Sequence, residues 1–261
     1  MNRVIGRLSR AAAVTAVAGT VGGAAVIAAQ AIAARTRPYA KPDMRLAMRS
    51  SVGSPNRPVV RLVLLGDATA LGVGVERVSD TVGGQLAALL AGGTTARRVE
   101  LSSVAVAGSR SADLATQVSR ALVGAMPDVA VVLVGTNDVT HLARPGEAAE
   151  HLAAAVRRLD AAGVAVVVGT CPDFGALRAY SSPLRQLAGL QSRRLARQQK
   201  TAARVAGATV VDLGAQTGAV FRADAGTLCH DGFHPSADGY RVWAHALLPA
   251  VEEAASTHKL H

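Results

Sequence analysis

Five short runs of β-branched and apolar residues recur along the chain: VVRLVLLG at 59–66, VELSSVAV at 99–106, VAVVLVG at 129–135, VAVVVGT at 164–170 and ATVVDL at 208–213. Each is about strand length and apolar on both faces, as in a parallel sheet covered by helices on both sides. Between them lie amphipathic segments near 80–91, 110–124, 146–162 and 184–206, and a last helix is expected to start at Pro235 or Ser236 and pass through Trp243 to about Ala255. Crossovers this long require parallel pairing with right-handed connections. The pattern therefore predicts an α/β fold: a three-layer α/β/α sandwich around a five-stranded parallel sheet. In such sheets ligands bind beyond the carboxyl ends of the strands. Asp67 and Ala68, Gly108 and Ser109, Thr136 to Asp138, and Cys171 to Asp173 all fall on that edge.

The 261 residues carry a net charge of +10, which raises a nucleic-acid partner as a possibility. The distribution of charge argues against it. Residues 1–61 hold ten Lys/Arg and one acid, so the rest of the chain is nearly neutral. Aromatics are only 3 %, too few for base stacking, and they leave the core to Ala, Val and Leu. Arg3, Arg7 and Arg10 precede an uncharged stretch from Ala11 to Ala34, long enough to span a bilayer at about 1.5 Å per residue. Residues 1–34 thus read as an uncleaved anchor, a cleaved signal sequence or, least favoured, a buried helix. Residues 35–58 read as a basic, Pro-containing linker, and 59–257 as the domain. Positive charge flanks the apolar stretch on both sides, and counting alone places the domain inside. Cys171 and Cys229 are the two cysteines, too few for a disulfide framework and without metal-ligand spacing.

Four short motifs line up in chain order: GDAT at 66–69, AGSRS at 107–111, GTND at 135–138 and DGFHP at 231–235. Each has an ordinary reading by itself. GTND could be a turn, DGFHP a helix cap ahead of Pro235, and Gly108 a loop glycine. Together, three at strand ends and one before the closing helix, they resemble the SGNH (GDSL-type) hydrolases, a family of esterases, lipases and carbohydrate deacylases. The resemblance spans roughly residues 59–255. It implies a nucleophile at position 68, backbone N–H donors to an oxyanion from positions 68 and 108, and an amide donor from Asn137. It further implies His234 as general base, oriented by Asp231, with no metal or organic cofactor. The substrate would be a small-molecule or lipid ester, the protein a monomer, and its place outside the cytoplasmic membrane, anchored or secreted. An exported domain would also permit a disulfide between Cys171 and Cys229, which the sequence leaves open.

The chemistry agrees with this reading on its own terms. Acyl transfer needs donors arranged in advance around a developing oxyanion. A carboxylate and an imidazole three residues apart in a turn can pair through one ring nitrogen and leave the other for a nucleophile. The departure is Ala68, which has no lone pair with which to attack a carbonyl. Thr69, Ser109 and Ser111 project from other faces or loops, so none is expected to replace it. Either a serine has been exchanged for alanine, or the chain is a relative that binds acyl or acetylated ligands without cleaving them. His141, His151, His230 and His245 read as solvated or rim residues. The glycines of LGVG (71–74) lack the full dinucleotide-binding spacing.

Overall fold

The computed structural model describes residues 23–43, 49–93 and 96–257. Five parallel strands occupy the expected runs: β2 (Val59–Gly66), β3 (Arg98–Ser103), β4 (Val129–Leu133), β5 (Ala165–Gly169) and β6 (Thr209–Val211). A sixth, β1 (Ser50–Val52), pairs antiparallel with β3 at the sheet edge. The sheet is thus six-stranded and mixed, in the order β1-β3-β2-β4-β5-β6, rather than five-stranded and all parallel. The extra strand lies in the segment read as linker. Its Ser-Ser-Val sequence has no apolar alternation, and its pairing is supplied by the backbone of β3, Ser50 opposite Leu101 and Val52 opposite Val99.

Residues 23–36 form helix α1. After it come α2 (Ala68–Leu71), α3 (Val82–Gly92), α4 (Leu114–Ala121), α5 (Thr136–Thr140), α6 (Pro145–Ala161), α7 (Leu184–Val205), α8 (Leu213–Ala223) and α9 (Ala237–Thr257). Alternate residues of β2 feed opposite faces of the sheet. Leu62 and Leu64 pack with Leu86 and Leu90 of α3 and with Leu247 and Val251 of α9. Val63 and Leu65 pack with Leu114 and Val118 of α4 and with Leu152 and Val156 of α6. Each such side chain, fully buried, contributes about 1.5–3 kcal/mol. The central strands are covered on both faces, which is why their sequences are continuous apolar runs rather than alternating ones.

Among the described residues no helix is long and apolar enough to cross a membrane. Most of the stretch read as anchor or signal, residues 1–22, lies outside the described residues. Its end is part of α1, which is tied to the domain: Gln30 Nε2 donates to Ser182 O at 2.7 Å, and Leu184 N donates to Gln30 Oε1 at 3.0 Å.

Candidate active site

The chain runs from β2 to β3 on one side and then crosses to β4 on the other, so the strand order switches direction at β2. At its carboxyl end Gly66 has φ +133°, and a Cβ there would fall 1.7 Å from Leu133 O on β4. Only glycine allows this approach. Asp67 follows, fully buried, and caps α2 by accepting from Thr69 N at 2.9 Å and Thr69 Oγ1 at 2.7 Å. Its other oxygen accepts from Thr136 N at 3.2 Å and from the Thr136 hydroxyl. Asp67 therefore joins the turns after β2 and β4, a structural role.

Ala68 is the first residue of α2, where a backbone N–H has no partner within the helix. Gly108, in the loop after β3, has open space where a Cβ would stand. Asn137 lies on α5, and its Nδ2 donates to Ser109 O at 3.0 Å. One amide hydrogen thus fixes the side chain to the Gly108–Ser109 loop, leaving the second free to donate. Asp138 braces the same loop by accepting from Ser111 Oγ at 2.8 Å and Ser111 N at 3.1 Å. The neighbouring hydroxyls, none of them expected to replace the nucleophile, are all engaged. Thr69 bonds Asp67, Ser111 bonds Asp138, and Ser109 Oγ accepts from Gln117 Nε2 at 3.1 Å.

On the turn before α9, His234 Nδ1 lies 2.7 Å from Asp231 Oδ2. Asp231 Oδ1 accepts from the backbone N–H groups of Phe233 at 2.7 Å and His234 at 2.9 Å, so the three-residue spacing closes a tight carboxylate-centred turn. Burial by itself raises the Asp231 carboxyl. The hydrogen bonds from the His234 ring and from the N–H groups of Ala40, Phe233 and His234 outweigh it and hold the group well below the usual carboxylate range. Asp231 is therefore an anion at neutral pH, suited to hold Nδ1–H and direct Nε2 outward. Nε2 makes no hydrogen bond among the described residues. The dyad turn sits against the turn that follows α2: a Cβ on Gly74 would lie 3.2 Å from His234 Cβ and 2.5 Å from Pro235 O. Tyr240 of α9 adds a second tie, donating to Val73 O at 2.7 Å.

Both cysteines are free thiols. The Cys229 sulfur sits 3.1 Å from Asp231 Oδ1, and burial pushes the thiol up to about 11. The pairing left open by the sequence is not formed. His141, His151, His230 and His245 are exposed, as expected. Asp173, on the expected edge, is held by Arg193 at 3.0 Å and Arg222 at 2.6 Å. No cluster of three or more His, Cys, Asp or Glu is placed to hold a metal among the described residues.

Two buried glutamines escaped the motif reading. Gln117 Oε1 accepts from Gly66 N at 2.7 Å, and its Nε2 donates to Gly66 O at 2.8 Å, clamping the end of β2. Gln199 does the same between β4 and β5, donating to Val134 O at 2.9 Å and accepting from Cys171 N at 2.8 Å. Each is a polar residue within the apolar stripe of its helix, and that misplacement is the signal that could have found it.

A family model for the GDSL-like Lipase/Acylhydrolase family matches residues 64–242, a span that takes in all four motifs. The chain belongs to this family. The GDSL-like esterase Rv1075c of Mycobacterium tuberculosis (strain ATCC 25618 / H37Rv) is 41 % identical over 197 residues. That alignment covers 75 % of this chain and 62 % of the relative, so the chain spans less than two thirds of the relative's length. The fold is shared with a lipolytic G-D-S-L family protein of Veillonella parvula DSM 2008 (TM-score 0.60, 17 % identity, 74 % of this chain and 98 % of the other). A lipase/acylhydrolase of Enterococcus faecalis is equally similar (TM-score 0.60, 18 % identity, 74 % and 96 %). The GDSL-like family thus accounts for the fold and for hydrolase ancestry.

Proposed function

We propose that this GDSL-like chain carries a carboxylic-ester hydrolase site that lacks only its nucleophile, position 68 being where the nucleophile belongs. In this reading His234 is the general base and Asp231 its orienting partner. The backbone N–H groups of Ala68 and Gly108 and the amide of Asn137 are the oxyanion donors. The observation that carries it is the 2.7 Å contact between His234 Nδ1 and Asp231 Oδ2 with Nε2 unengaged, on a turn packed against Gly74 in the turn that follows α2. An imidazole held this way can take a proton from a hydroxyl at position 68 and later return it to a leaving alcohol. The substrate class is a small-molecule or lipid ester. The chain acts as a monomer, tethered by or released from its N-terminal apolar segment, outside the cytoplasmic membrane.

One observation favours a second reading. Position 68 has no hydroxyl, and those of Thr69, Ser109 and Ser111 are engaged elsewhere. The chain as it stands is then a membrane-tethered protein that binds acyl or ester ligands without cleaving them. Turnover of short- and long-chain nitrophenyl esters separates the two. The parent is expected to show slow hydrolysis at most, without an acyl-enzyme burst, because loss of a triad member leaves about 10³–10⁴-fold catalysis over water in the serine-protease template. Ala68→Ser is expected to gain several orders of magnitude and a burst. Both should vanish when His234→Ala is added. A well-folded Ala68→Ser protein inert toward every ester leaves the binding reading standing.

A further inference from the structure

The Asp231–His234 pair is completed by a part of the chain that no motif marks. Ala40 N–H donates to Asp231 Oδ2 at 2.9 Å, and this is the same oxygen that faces His234 Nδ1. Next to it, the Tyr39 ring stands edge-on to the His234 imidazole, with centroids 6.3 Å apart at 87°, and edge-on to Phe233 at 5.3 Å. The chain has only seven aromatic side chains, three Tyr, three Phe and one Trp. Four of them, Tyr39, Phe174, Tyr180 and Phe233, form one cluster beside this histidine. In a chain so poor in aromatics, that concentration marks a place where rigid, directional packing matters.

The contact is anchored on both sides. Upstream, Arg37 Nη1 lies 3.5 Å from Ala179 O, and Gln30 bonds both Ser182 and Leu184. The 178–184 loop so gripped is itself tied to the dyad turn, because Arg178 N and Ala179 N both donate to Gly232 O, at 3.0 and 2.9 Å. The segment from Gln30 to Ala40 therefore lies along the loop that borders the pair and ends on the carboxylate.

We propose that Tyr39 and Ala40 are positioning residues for His234, and that the site is complete only while this N-terminal segment is docked. The Ala40 N–H fixes the orientation of Asp231 Oδ2, and Oδ2 in turn sets which imidazole nitrogen carries the proton. Tyr39 limits rotation of the ring. A carboxylate that keeps only its local Oδ1 partners can rotate, and the histidine it orients then samples unproductive poses. The segment that leads back to the apolar N-terminus would thereby report its docking to the site.

This rests on the esterase reading only in its kinetic arm, so the test has two arms, both on the full chain. In the Ala68→Ser background, Ala40→Pro removes the donor and Ala40→Gly keeps it. The expected result is a fall of about tenfold in kcat for the proline variant, the scale of one charge-assisted hydrogen bond, with KM within about twofold. The glycine variant should stay within about twofold of its parent on the same scale. In the second arm, nitrogen-15 histidine NMR of the chain with Ala68 intact follows the His234 ring. The parent and Ala40→Gly should show one Nδ1–H tautomer with a low-field Nδ1 proton, and Ala40→Pro should show mixed tautomers or loss of that proton. Tyr39→Ala should give the same NMR result, and it serves if the proline variant does not fold. An inert Ala68→Ser chain with the NMR difference intact sinks the esterase reading but supports this one. A lower melting temperature with kcat and tautomer unchanged would overturn it, because the segment would then be only a structural brace.

Discussion

At the scale of single residues, the polar positions of the site were legible because chemistry limits which side chains can fill them. The structure pairs Asp231 with His234 and ties Asn137 to the Gly108–Ser109 loop, as their spacing and places after strands allowed, while the roles given to them come from the resemblance of four motifs taken together. Gln117, Gln199 and the Ala40 N–H were not legible, because their partners lie 28 to 191 residues away and backbone donors leave no trace in the sequence. The Asp231 carboxylate gives a pH-dependent prediction. Its pKa in the folded chain lies below the ordinary value of about 3.9. Its contribution to stability is then fully present above that value and is lost as pH falls through the folded pKa. Asp231→Asn should lower the melting temperature at pH 7, and the gap to the parent should close steadily below about pH 4. Thermal scans from neutral to acidic pH measure this, and a gap that stays constant would contradict the assignment.

At the scale of elements, strands β2, β4 and β5 were legible as nearly continuous apolar runs, and β3 and β6 as shorter β-branched ones, with boundaries shifted by a few residues. The misses share a cause. β1 has three residues and no apolar pattern, so only its partner's backbone makes it a strand. Helix α8 is interrupted in sequence by Gly214, Thr217 and Gly218, and it forms because Asp212 caps it and Leu213 and Phe221 are buried. Tertiary packing overrides weak local preference in both. α2 and α5 are single turns, too short for a period to show. The clamp from α4 onto β2 gives a prediction at this scale. Gln117→Ala leaves the buried N–H of Gly66 without its partner, at about 1–3 kcal/mol, while Gly66 O keeps the backbone donor Val106 N at 3.2 Å. Chemical denaturation should show a loss of about 1–3 kcal/mol. A loss below about 1 kcal/mol would mean that solvent reaches the strand end.

For the whole molecule, the fold and family together place a carboxylate–imidazole pair, a loop glycine and a strand-end amide on one sheet edge. The position of the domain relative to a membrane is a separate question, governed by the apolar stretch and by charges on both of its flanks. The family reading puts the domain outside. Protease added to intact cells expressing the full chain should then degrade it, and complete protection would favour the orientation given by counting charges. The central claim is that the site lacks a nucleophile and nothing else. Labelling Ala68→Ser with a fluorophosphonate probe, followed by peptide mapping, tests it most directly. A single adduct on the peptide containing position 68, absent from the parent and abolished by adding His234→Ala, is the predicted result. A folded serine variant that remains unlabelled would contradict the account.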